Sequence, residues 1–141
     1  METRLPIASL LLRYGLAITM LSAVADRFGL WDDQVSSWGN WDAFLDYTAA
    51  VNSFAPESLI PFLAIVATAL EVILAILLMI GYKTRWAAMG TAVLTFAFAL
   101  AMGYSFGIKS PLDYSVFVDC TAALLLATIP NYKWSIDELI R

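Results

Sequence analysis

The sequence predicts an all-α integral membrane protein, a four-helix bundle with both termini cytoplasmic. Three observations carry that expectation. The 141 residues are 61% hydrophobic and 14% charged, with a mean hydropathy of +0.76, whereas soluble domains are about 45–50% apolar and about 25% charged. Four apolar runs approach the roughly 20 residues that cross a bilayer core as a helix. The Lys and Arg residues between the runs are distributed unevenly. A β-barrel would need alternating ten-residue segments, and these runs do not alternate.

The first expected helix covers about 5–25 and carries Arg13 in its middle. Ala23-Val-Ala25 matches the small-residue pattern of a signal-peptide cleavage site, but the long apolar run and its central charge oppose that reading. An outer loop at 26–57 holds Trp31, Trp38 and Trp41 among several aspartates. Within it, 41–51 reads as a short amphipathic helix on the membrane surface, with Trp41, Phe44, Leu45 and Thr48 about one face. Trp and Tyr favour that interface. The second helix is expected over about 59–80, the third over 86–107 and the fourth over 112–129, with Pro111 suited to a first helical turn. Together they make one domain, 1–141. With the N-terminus inside, Arg4, Lys83, Arg85, Lys133 and Arg141 lie on the inner side, against Arg27 and Lys109 outside, so both termini are placed in the cytoplasm.

Composition excludes several classes of chemistry. The net charge of −4 opposes nucleic-acid binding, which needs clustered cations. There is no histidine and one cysteine, which removes histidine-ligated metal or haem, a histidine-activated nucleophile and any CxxC pair. No catalytic or metal-binding set is expected, and no intrinsic cofactor.

The informative residues are ionisable ones at membrane depth, where a charge is costly and by default functional. Arg13 sits in a Ser9–Arg13–Ala17 stripe, and Glu71 in an Ala67–Glu71–Ala75 stripe beside Thr68. Small residues at this spacing mark close helix approach, so both charges are expected to face inward and to pair with each other. The pair reads equally as structural glue or as the polar end of a ligand pocket that includes Asp119. Asp119 is either a proton-relay carboxyl or a hydrogen-bonding partner of a neighbouring helix. Ser115 shares its face and Asp113 shares one with Cys120. Asp113 reads first as a helix-start carboxylate and Cys120 as a small buried hydrophobe. On the third helix, Ala99, Gly103 and Gly107 form a packing stripe, within the bundle or between subunits.

Leu21-Ser-Ala-Val-Ala-Asp-Arg-Phe-Gly-Leu-Trp31, Glu71 leading to Gly81-Tyr-Lys-Thr-Arg85, and Gly107-Ile-Lys-Ser-Pro-Leu-Asp-Tyr-Ser-Val-Phe117 resemble the DoxX family of small bacterial membrane proteins, as does the central Arg13. The resemblance covers essentially the whole chain. It implies a four-helix bundle in the bacterial inner membrane and accessory roles in quinone-linked or stress-response systems, with no catalytic motif to carry over. The functional expectation is an accessory subunit binding a hydrophobic small molecule, a quinone or a lipid, near Arg13, Glu71 and Asp119. The alternatives are a scaffold that recruits a protein partner or forms homo-oligomers through Ala99, Gly103 and Gly107, and, ranked last, a proton-coupled transporter.

Overall fold

The computed structural model describes residues 4–140; Arg141, counted above among the inner charges, lies outside them. The chain forms α1 (Arg4–Arg27), α2 (Trp41–Val51), a 3-10 turn (Glu57–Leu59), α3 (Ile60–Ile80), α4 (Thr84–Phe106), α5 (Lys109–Asp113), α6 (Val116–Thr128) and α7 (Ile136–Leu139). Among the described residues, three helical stretches are long and apolar enough to cross a membrane: α1, the stretch Glu57–Ile80 and α4. Helix α6 is apolar but shorter. The molecule is a multi-pass, all-α membrane protein.

Local chemistry sets the boundaries. Pro61 stands in the first turn of α3, where its missing N–H costs nothing. Gly81 ends α3 in the left-handed conformation, φ +68°. A Cβ at Gly81 would collide with Ser135 and with the Arg13 guanidinium, so glycine is required there for space as well as for conformation. Asn40 caps α2 by accepting from the Ala43 amide at 2.9 Å.

α1 packs on α3, α3 on α4 and α4 on α6. The core is rich in alanine: Leu16, Ala17 and Met20 meet Ala75, Leu78, Ala88, Ala92, Cys120, Ala123 and Leu126. Such small side chains let membrane helices approach closely, where dispersion replaces the hydrophobic drive available in water. Large side chains such as Ile18, Ile73, Val93 and Leu100 point outward, where acyl chains solvate them.

α2 forms as expected and packs on α3 and α4. Phe44 and Thr48 are its buried residues. Ser105 Oγ donates to the Val51 carbonyl at 2.7 Å, and Tyr104 meets Phe54 edge-on. One expectation needs correction, the continuous fourth span with its shared Asp113–Cys120 face. The fourth span is not one helix over 112–129: it breaks at Tyr114–Ser115, where Ser115 takes φ +56°. Asp113 therefore ends α5 instead of opening α6, and it shares no helix with Cys120. The Ala99–Gly103 stripe serves the chain's own packing. Ala99 is buried and the open side of Gly103 faces Pro111, which leaves only Gly107 of the three exposed.

Candidate functional site

Arg13 is fully buried, with 0% exposure, but Glu71 is not its partner. Its Nε donates to the Leu78 carbonyl at 2.9 Å and its Nη2 to Met79 at 3.0 Å. Its Nη1 donates to Lys133 and Trp134 at 3.2 and 3.3 Å. The last carbonyls of α3 have no partner within the helix and carry the negative end of its dipole; the rigid guanidinium fork answers both needs. The expected Arg13–Glu71 pair fails on register. Depth along each span places both residues near mid-membrane, yet α1 and α3 are offset. Arg13 reaches carbonyls about 10 Å beyond Glu71, at about 1.5 Å per residue.

Glu71 pairs instead with Arg27, the last residue of α1, and both are almost wholly buried. Arg27 Nη1 donates to Thr68 Oγ1 at 2.7 Å. The Arg27 guanidinium carbon lies 4.0 Å from the centroid of the Phe44 ring and 5.5 Å from that of Trp38, so two aromatic faces cover the cation. Next to it, the Asp26 carboxylate accepts from Ser36 Oγ and from the amides of Ser37, Trp38 and Gly39. Two adjacent residues thus anchor the tryptophan loop, α2 and α3 to the end of α1. Sequence reasoning found Glu71 and Thr68 but counted Arg27 as a flank charge. The available signal was a cation two residues past the expected helix end, set in a Trp-rich string.

The remaining candidates are dispersed. Ser9 is buried one turn before Arg13. Asp113 is exposed and paired with Lys109 across one helical turn; its expected helix-start role is therefore replaced by a surface ion pair. Ser115 occupies the N-cap position of α6 without a capping side-chain hydrogen bond. Asp119 is half-buried on α6 and takes no part in the hydrogen bonds of Arg13 or the ion pair of Glu71. Cys120 is buried and donates through Sγ to the Ala92 carbonyl at 3.4 Å. Arg13, Glu71 and Asp119 therefore do not converge on one pocket.

An open cleft of about 780 Å³ lies elsewhere, between α4, α6 and the C-terminal tail. Trp86, Met89 and Leu124 supply its apolar wall, and Lys83 and Arg85 its cationic lip. Tyr132 also lines it, with its hydroxyl committed to the Leu126 carbonyl at 2.9 Å. Asp137 fixes the tail to this end by accepting from the amides of Lys83 and Thr84, both at 2.7 Å. Burial works to raise the Asp137 pKa. The two amides and the nearby Arg13 charge outweigh that and hold it below the ordinary aspartate value. Among the described residues, no three Cys, Asp or Glu side chains gather into a metal-binding set.

The family model described as methylamine utilisation protein MauE matches residues 5–113. That family is DoxX-related, so the likeness read from the sequence strings is narrowed to this branch. The matched stretch contains Arg13, Arg27 and Glu71 and stops at the last residue of α5; α6 and the tail lie beyond it. No curated protein and no solved structure matches the chain.

Proposed function

The chain belongs to the MauE family, and from that premise we propose that it is an accessory subunit of a membrane redox system, holding an amphipathic small molecule, a quinone or a lipid. Methylamine utilisation is the setting that the family's description supplies. The observation that carries this reading is the cleft beside Lys83 and Arg85. Its volume falls in the range of small-molecule sites, about 300–1,000 Å³. Its walls are apolar, and Trp86 and Met89 are exposed toward the surrounding acyl chains, which gives a ligand a lateral route in. Lys83 and Arg85 are the donors suited to the oxygen atoms of a head group. This relocates the expected ligand site, because Arg13 and Glu71 are each committed to partners within the chain.

The same reading places both termini in the cytoplasm of a bacterial inner membrane. Arg4, Lys83, Arg85 and Lys133 flank the helix ends on the tail side, whereas the other side has Arg27 and Lys109. That contrast supports the positive-inside orientation.

Native mass spectrometry after gentle extraction tests the cleft. The wild-type protein should retain a stoichiometric quinone or phospholipid, and the double variant Lys83→Asn, Arg85→Gln should lose it. Asparagine is chosen because Lys83 sits at φ +46°, a region that asparagine tolerates. Equal, non-stoichiometric lipid on both proteins would refute the reading.

A further inference from the structure

Helix α6 has 13 residues, about 20 Å of rise, against a hydrocarbon core of about 30 Å. Two contacts fix the level at which it stops. Cys120 Sγ donates to the Ala92 carbonyl, and Pro111 of α5 lies against Gly103. The turn at Tyr114–Ser115 therefore falls between the levels of Ala92 and Gly103, within a helix long enough to cross the membrane.

This break is open on its outer side. Asp113, Tyr114 and Ser115 are exposed, as is Val118 at 62%. No side chain caps the first amides of α6. Among the described residues, no hydrogen bond or ion pair engages the Asp119 carboxylate one turn further on. Irregular backbone at membrane depth is tolerated where protein or a water-filled cavity covers it, not against acyl chains, and a carboxylate there calls for a partner.

The cover that answers the Asp119 carboxylate brings positive charge, and a second copy of this chain has no uncommitted cation at this level: Lys109, beside the break, is paired with Asp113, and Lys83 and Arg85 lie at the opposite end of α4. The cations within its spans, Arg13 and Arg27, are buried and committed to the Leu78 and Met79 carbonyls and to Glu71. A second copy would also present another Asp119. We propose that the face formed by α5, the Tyr114–Ser115 turn and the first turn of α6 docks a transmembrane helix of a different membrane protein, and that this helix carries a Lys or Arg that pairs with Asp119. This surface is separate from the cleft, and its occupancy does not depend on a ligand there.

A photo-crosslinking amino acid at Val118, in the membranes of the cell that makes the protein, tests this. The control position is Ile73, which is 54% exposed on α3. The expected result is one discrete adduct from Val118 and none from Ile73, with the crosslinked peptide inside an apolar span that contains Lys or Arg. Asp119→Ala should lower the adduct yield at least tenfold, while Asp119→Glu should keep it. Should Asp119→Ala fail to extract as a monodisperse protein, a charge exchange decides: Asp119→Lys loses the adduct, and an acidic residue in place of the partner's cation restores it. An adduct to a second copy, labelling of lipid alone, a partner span without a cation, or failure of the exchange would overturn the proposal.

Discussion

Arg13 and Arg27 stand on one helix, both buried, and the bundle answers them in opposite ways. Arg13 meets backbone: four carbonyls, from the end of α3 and from the tail, share its donors. Arg27 meets side chains: a carboxylate, a hydroxyl and two aromatic faces. The difference teaches which of the two depends on shape and which on charge. Backbone carbonyls cannot be mutated away, so the Arg13 position demands a guanidinium fork. The Arg27 position demands that two opposite charges stay together or leave together.

Substitutions sharpen that contrast. The largest effect is expected from Glu71→Ala, which strands the Arg27 charge in a buried site and should cost about 3–5 kcal/mol, read as a loss of thermal stability in detergent. Removing both charges, Arg27→Met with Glu71→Leu, should recover most of it, because an apolar pair of similar volume is often neutral. A double variant no more stable than Glu71→Ala would break the comparison. Next comes Arg13→Lys. It keeps the charge but loses the fork, and about 1–3 kcal/mol should follow from the carbonyls left unpaired. A cost near zero would mean that charge alone suffices at that end.

The smallest effect concerns pH. Asp137 is held below its ordinary pKa in the folded protein, so its contribution is complete above the unfolded aspartate value, about 4. It fades as the pH falls through the lower folded value. The tail should stay protected from pH 7 down to about 4 and loosen as the pH falls further, seen as faster proteolysis between α6 and α7, and Asp137→Asn should loosen it already at pH 7. A tail in Asp137→Asn as protected at pH 7 as in the wild type would contradict the role assigned to Asp137.

Much of the architecture was legible because it follows from composition along single helices. α1, α3 and α4 announce themselves by apolar length, α2 by its Trp41–Phe44–Thr48 spacing, and the α3–α4 turn by Gly81. The register between helices is another matter. Nothing in the position of Arg13 along its own span says which level of α3 it faces, so the Glu71 partner was misassigned although both residues were correctly expected to be buried. The fourth helix failed for a similar reason. Residues 112–129 are apolar enough to read as continuous, and the break depends on one backbone torsion, at Ser115. Asp26 escaped notice because its role is set by the amides of Ser37, Trp38 and Gly39, whose return toward α1 is a matter of loop path.

The Arg13 contacts also bear on how the protein is made. Chains emerge N-terminus first, at about 5–20 residues per second, so α1 enters the bilayer well before α3 can offer its terminal carbonyls. The last two acceptors, Lys133 and Trp134, are synthesised later still. Until then the guanidinium has to be sheltered by water, by lipid phosphates or by the insertion machinery. Completion of the bundle is thereby tied to the arrival of its C-terminal segment, and a chain stalled before that point presents an uncovered cation for quality control to detect.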